Sequence, residues 1–157
     1  MKKGQSAMEY LMTYGWAILI VIIVAAALYA LGVFNPGMYT GARATGFPNI
    51  GAPATGQWKL GVTTPDNFEL NLRNNLASRL NFTAVTVSVG ATTCNNGDFD
   101  GSSYIEVGIG GTFKVEADCP GFTAGNSYSA TVSLTYNNLD SGLTGFTETG
   151  TVTGTVS

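Results

Sequence analysis

The sequence predicts an α+β protein in which a long hydrophobic amino-terminal α-helix is followed by an all-β, immunoglobulin-like sandwich. Three observations predict this fold. Residues 10–42 contain no Asp, Glu, Lys or Arg, and most of them are apolar. Beyond them, apolar and polar residues alternate in short segments, as they do in half-buried strands. Gly- and Asn-rich turns separate these segments, and no helical pattern of useful length follows Phe34.

The predicted helix runs from Gln5 to Phe34. At 1.5 Å per residue it would be about 45 Å long, which exceeds the roughly 30 Å of a bilayer's hydrocarbon core. Ser6, with Glu9 three residues later, fits a capping box at its start. The Asn-Pro-Gly sequence at residues 35–37 predicts its end, because proline cannot continue a helix.

The charges around the helix predict its orientation and leave one feature to explain. Lys2 and Lys3 precede the apolar run and no comparable cluster follows it, so the positive-inside rule leaves the remainder of the chain outside the cell. Glu9 stands just inside the apolar region, where an acid is costly and calls for a partner.

Three interpretations of this segment remain open on these grounds. A plain single-pass anchor explains the length but not Glu9. A secretory signal cut near residues 25–27 would have its apolar region begin soon after the lysines, yet residues 5–9 intervene. A signal cut on the cytoplasmic side, before the apolar run, would keep the helix in the mature protein.

The third interpretation is supported by a family resemblance. Lys2-Lys3-Gly4 followed by Gln5-Ser6-Ala7-Met8-Glu9 resembles the class III signal peptide of archaeal type IV pilins, the adhesion-pilus prepilins. The resemblance covers residues 1–34. It implies that a prepilin peptidase cuts after Gly4 and that Gln5 becomes the mature terminus. It also implies a homopolymeric helical filament, assembled by a pilus ATPase and membrane platform proteins. The start is less similar to that of archaellins, which usually lack the acid.

The resemblance gives three parts and a role for the acid. Residues 1–4 would be the leader, 5–36 the hydrophobic helix, and 37–157 the extracellular β-sandwich domain. Cleavage would remove both lysines and create an amine at Gln5. Glu9 of one subunit could pair with the amine of its neighbour and set the register of the filament. The helix would span the membrane before assembly and form the filament core afterwards. The alternative for Glu9 is capping of its own helix alone.

The segments of the β region differ in how clearly they alternate. Residues 38–57 predict an irregular connection or weak edge strands. The strand expected at Leu80–Val89 changes phase after Ala84, which indicates a bulge or a change of sheet. Residues 104–107 and 112–117 predict a hairpin joined at Gly108–Gly111. The remaining strands are expected at 67–74, 127–137 and 146–156.

Two features of the β region bear on its chemistry outside the cell. Cys94 and Cys119 form an even pair beyond a membrane-crossing segment, which favours a disulfide; two unrelated thiols are the alternative. Asn81-Phe82-Thr83 is an N-glycosylation acceptor sequence, although such triplets also arise by chance in Asn- and Thr-rich chains.

Composition argues against several classes of function. The chain has no His and a net charge of -3, and its few basic residues beyond Gly4 are scattered, so we expect no nucleic-acid binding and no enzyme activity. Residues 96–101 resemble a calcium loop, but the spacing to Glu106 is one short, and a tight turn is the stronger reading. We expect neither metal nor cofactor. The expected function is a filament subunit; a membrane-anchored binding domain, an archaellum-type subunit and a secreted enzyme are the alternatives.

Overall fold

The computed structural model describes residues 3–31, 42–51 and 57–157. The chain divides into two compact units, Met1–Met38 and Tyr39–Ser157, which we describe separately. The Asn-Pro-Gly sequence at 35–37, where the helix was expected to end, lies outside the described residues.

The first unit contains helix α1, Lys3–Ala30. Its sequence has no Pro and is rich in Ala, Leu, Ile and Met, so nothing local interrupts the helical hydrogen bonds. A last bond from the Leu31 N–H to the Ala27 carbonyl measures 2.9 Å. The predicted capping box is wrong, because the helix already includes Lys3 and Ser6 therefore lies within it rather than at its N-cap.

The second unit is built from β-strands. The described residues contain eleven of them: β1 Arg43–Thr45, β2 Ile50–Gly51, β3 Trp58–Leu60, β4 Phe68–Asn74, β5 Leu80–Val89, β6 Thr92–Thr93, β7 Asn95–Phe99, β8 Ile105–Val107, β9 Thr112–Asp118, β10 Ser127–Asn138 and β11 Phe146–Thr155.

These strands form two antiparallel sheets that pack face to face. Sheet A has the order β1-β11-β10-β5-β6, with β8 also paired to β5. Sheet B has the order β2-β4-β9-β7, with β3 also paired to β4. The inward residues of both sheets are apolar, so the sandwich excludes water from one continuous core. The predicted β-sandwich is therefore confirmed, and the short strands β1 and β2 match the weak strands expected in residues 38–57.

Aromatic rings fill the centre of the core. Phe82 of β5 packs against Phe113 of β9 with ring centroids 4.3 Å apart, and against Phe99 of β7 at 5.9 Å. Tyr136 of β10 completes the group at 5.5 Å from Phe82. Because these rings come from both sheets, they tie the two layers together.

The phase change in β5 is a β-bulge, which confirms that prediction. Phe82 pairs with Tyr136 and Ala84 pairs with Thr135, so Thr83 is the extra residue. The bulge lets Phe82 and Val85 both point inward although they are three residues apart.

The predicted hairpin at residues 104–117 is wrong. Strand β8 pairs with β5 in sheet A, whereas β9 pairs with β4 in sheet B. The connection at Gly108–Gly111 crosses between the sheets and is held at Asn74, whose carbonyl accepts from the Gly110 N–H at 3.0 Å. The Asn74 side chain donates to the Gly108 carbonyl at 3.1 Å. A short glycine-rich link is compatible both with a hairpin and with a crossover between the sheets. The hydrogen bonds to Asn74 favour the crossover.

Candidate functional site

Among the described residues, the glycine at the expected cleavage position makes no packing contact. Gly4 lies in the first turns of α1, and a Cβ added there would meet nothing within 4 Å. The same is true of Gly15. Glycine within a helix costs roughly 1 kcal/mol relative to alanine, so both positions carry a cost that intrachain contacts do not explain.

Glu9 also lies inside α1, in its second turn. The Glu9 backbone carbonyl accepts a hydrogen bond from the Thr13 hydroxyl at 2.8 Å. Because α1 already includes Lys3, Glu9 is too far along the helix to act as the acid of a capping box. Gly4, Gln5 and Glu9 thus occupy one continuous helix, with Gly4 and Glu9 five residues apart.

The surface of α1 is apolar on every side. Its segment Ala7–Ala30 is long and apolar enough to cross a membrane, and none of it is buried within the chain. Next to Gly15 the missing side chain leaves a shallow apolar groove lined by Leu11, Met12 and Trp16. Exposed large apolar residues of the helix are Met8, Tyr10, Leu11, Met12, Tyr14, Trp16, Ile18, Leu19, Ile20, Val21, Ile22, Ile23, Val24 and Tyr29. A surface of this kind is stable only in lipid or against other helices.

Cys94 and Cys119 form a disulfide, as expected. Cys94 lies between β6 of sheet A and β7 of sheet B, and Cys119 directly follows β9. Both residues are buried. The bond therefore fastens the point at which the chain passes between sheets to the end of β9.

Asn67, which the sequence did not single out, supports this disulfide. Its side chain accepts from the Cys119 N–H at 2.7 Å and donates to the Cys119 carbonyl at 2.7 Å. The same amide donates to the Gly61 carbonyl at 3.0 Å. The buried Asn67 amide thus forms its hydrogen bonds with backbone groups. Its two bonds to Cys119 take the place of a backbone pair just beyond the end of β9.

Asn81 lies in β5 on the outer side of sheet A. Its direct neighbours across the sheet are Asn137 of β10 and Glu106 of β8. The side chain is half-buried, and its carbonyl oxygen has no hydrogen-bond partner among the described residues. The acceptor sequence therefore falls on a strand rather than a loop, and its use for glycosylation stays a prediction.

Glu148 is a second residue that the sequence analysis missed. It occupies an inward position of β11 and is 5% exposed. One carboxylate oxygen accepts from the N–H groups of Asn49 and Ile50, each at 2.9 Å. Its phase could have revealed it, because Glu148 alternates with the threonines and so shares the inward side with Gly150 and Val152. The carboxylate holds the segment that precedes β2 against sheet A.

Residues 96–99 of the segment resembling a calcium loop lie in strand β7, and the tight turn expected across 96–101 is confined to Asp100 and Gly101. Asp98 accepts from the Gly101 N–H at 3.2 Å, and Asp100 has a positive φ of 51°. Burial raises the pKa of Asp98 above its ordinary value, partly offset by that hydrogen bond. Within residues 3–31, 42–51 and 57–157, no three His, Cys, Asp or Glu side chains are grouped as a metal ion would require.

Comparison with known proteins does not assign the chain to a family. No protein-family model matches the chain, and no curated protein is significantly similar to it.

Proposed function

We propose that this chain is the structural subunit of an extracellular filament of the type IV pilus kind. The subunit would polymerise through α1 and expose its β domain for adhesion or cell contact. The observation that carries the proposal is the conjunction of an apolar segment, Ala7–Ala30, with no part buried among the described residues, and a Gly4-Gln5 junction of the cleavable type just before that segment. A simple anchor needs the helix but has no use for Gly4 or Glu9.

The features of α1 fit a helix that changes surroundings. Before assembly its apolar surface would lie in lipid, and afterwards against the helices of neighbouring subunits. The groove beside Gly15 would admit an apolar side chain from a neighbour, since small residues allow helices to approach closely. Removal of residues 1–4 would also replace two lysines by a single amine within reach of another subunit's Glu9.

The position of the mature amino terminus tests the proposal directly. We expect mass spectrometry of surface material to find Gln5 as the first residue. The variant Gly4→Leu should remain unprocessed and give no filaments in electron micrographs, because the bulky side chain would block the peptidase. Ala7→Leu, an equal enlargement beyond the junction, should be processed normally. Filaments assembled from intact Gly4→Leu would contradict the proposal, and an intact Met1 at the surface would favour a membrane-anchored binding domain.

The role of Glu9 needs a separate test. Glu9→Ala should leave cleavage after Gly4 unchanged but reduce the yield of filaments severalfold, because the amine at Gln5 would lose its partner. Glu9→Gln separates charge from hydrogen bonding, and we expect it to behave like the alanine variant. Filament yields equal to the parent in both variants would remove Glu9 from assembly.

A further inference from the structure

The outer face of sheet A is an ordered array of hydroxyl groups. Along β11, every second residue from Thr147 to Thr155 is threonine and points outward. One row crosses five strands in register, and it consists of Thr45, Thr151, Thr131, Ser88 and Thr93. We call the whole set the hydroxyl face: Thr45, Thr86, Ser88, Thr93, Ser127, Ser129, Thr131, Ser133, Thr135, Thr147, Thr149, Thr151, Thr153 and Thr155.

These hydroxyls are largely free to bind something else. Within the described residues, Thr149 donates to Ser133 at 3.3 Å and Thr153 donates to the Arg43 carbonyl at 3.3 Å. The hydroxyls of the other members of the face donate no intramolecular hydrogen bond in the described part of the chain. Each hydroxyl offers one donor and two acceptor positions. Neighbouring strands are about 4.8 Å apart and alternate residues about 6.8 Å apart, so the face repeats regularly in two directions.

The central strands of this face carry no outward charge. On sheet B, Lys59 forms an ion pair with Glu69 at 2.8 Å, and Lys114 pairs with Glu116. On sheet A, by contrast, the described outward positions of β5, β10 and β11 carry no charged side chain, and the face has charge only at its margins, at Arg43 of β1 and at Glu106 of β8. Protein surfaces ordinarily mix both signs of charge, so a face whose three central strands carry no outward charge is a distinct surface.

The chemistry of the hydroxyl face limits what it fits. A charged partner would find opposite charge only at the margins, at Arg43 or Glu106, and an apolar partner would leave the hydroxyls without hydrogen bonds. The complementary partner is uncharged, dense in hydroxyls and extended in two dimensions. We propose that the hydroxyl face binds neutral polysaccharide, with the threonine methyls packing on sugar rings between the hydrogen bonds. Single contacts of this kind are weak, and the inference rests on the proposed filament because many copies side by side would supply avidity.

A column of microcrystalline cellulose, and a second of chitin, tests binding without requiring filaments. Full-length chain in mild detergent should be retarded on at least one column, with retardation unchanged in 1 M salt because no charges take part. Thr131→Val/Thr151→Val preserves shape and strand preference while removing two central hydroxyls. It should bind about tenfold more weakly, since each net hydrogen bond contributes roughly 0.5–1.5 kcal/mol.

A matched control and a second measurement keep the outcomes separate. Thr112→Val, on an exposed position of sheet B, should leave retardation unchanged, and circular dichroism should show all three proteins equally folded. No retardation on either column, or equal retardation of the double-valine variant, would overturn the inference. Light scattering that showed the parent to be a dimer and the double-valine variant a monomer would also overturn it, because the face would then bind a second copy of the chain. The proposed function is tested separately, by electron microscopy of filaments and by mass spectrometry of the mature amino terminus.

Discussion

At the scale of single residues, two glycines of β11 each lie against an aromatic ring. The Phe47 ring lies directly on Gly150, where any added Cβ would collide with it. Tyr128 lies over Gly154 in the same way, with its hydroxyl 3.1 Å from where a Cβ would be. The glycines of β11 thus leave room for aromatic rings on the inward side of sheet A. Gly150 and Glu148 together fix the path of the chain before β2.

Tyr128 makes the stability of the β domain depend on alkaline pH. The side chain is 7% exposed, and burial raises its pKa from 10.0 to about 12. Because the folded-state pKa lies above the unfolded one, the neutral phenol contributes stability that is fully present below pH 10. That contribution is lost as the pH rises through about 12. A shift of this size corresponds to about 3 kcal/mol.

Tyr128→Phe should remove this dependence while keeping the ring in place. Between pH 9 and pH 12, we expect the free energy of unfolding of the parent to fall by about 2 kcal/mol relative to that of the variant. Urea unfolding followed by circular dichroism measures the difference. Tyr104→Phe changes a tyrosine that is 62% exposed and should follow the parent at every pH. Parallel curves for Tyr128→Phe and the parent would exclude this role for Tyr128.

At the scale of elements, the sequence was sufficient to predict a strand wherever apolar and polar residues alternate over a long, regular stretch. The strands at Phe68–Asn74 and Ser127–Asn138 and the bulge in β5 were all predicted, because alternation records which side faces the core. The hairpin at residues 104–117 was mispredicted, because pairing there depends on Asn74, far away in sequence. Strand β3 was missed because three residues, Trp58–Leu60, are too few to show a period.

The candidate site divides in the same way between local and distant information. The acceptor sequence at Asn81 and the pairing of Cys94 with Cys119 required only residue types and spacing. Asn67 is recognisable only once Cys119 is brought to it from 52 residues away, whereas the phase of β11 marks Glu148 as inward but not the backbone group that it binds 98 residues away. The hydroxyl face likewise depends on strand register, which alternation within each strand does not determine.

The disulfide between Cys94 and Cys119 should contribute substantially to the stability of the β domain. We expect Cys94→Ala/Cys119→Ala to lower the free energy of unfolding by about 3 kcal/mol, since the bond closes a loop across 25 residues. Urea titration at neutral pH measures the change, and the parent treated with a reductant after unfolding should refold to the same reduced stability. A midpoint unchanged from that of the parent would show that the packing around Asn67 holds this end of the sandwich without the bond.

At the scale of the whole molecule, the two units have opposite relations to water. The helix presents apolar side chains on all sides, while the β domain encloses its own. Every described member of the core lies at or beyond Phe47. The chain therefore joins a segment that needs lipid or other helices to a domain that has its own core, as the proposed subunit requires.

The β domain should accordingly fold without α1. We expect a chain of residues 39–157 to be soluble without detergent and to unfold cooperatively, with a midpoint within a few degrees of the full chain in detergent. Thermal unfolding followed by near-ultraviolet circular dichroism, which reports the packed aromatic core, measures this. A shorter chain of residues 52–157 is the matched control, because it also lacks Phe47, Ile50 and the backbone N–H groups bound by Glu148. Losing two buried apolar side chains costs roughly 4–10 kcal/mol, and leaving a buried carboxylate unpaired adds to that. The shorter chain should therefore lose its cooperative transition. If the 39–157 chain behaves like the 52–157 chain, α1 contributes to the stability of the β domain, and the two units are not independent.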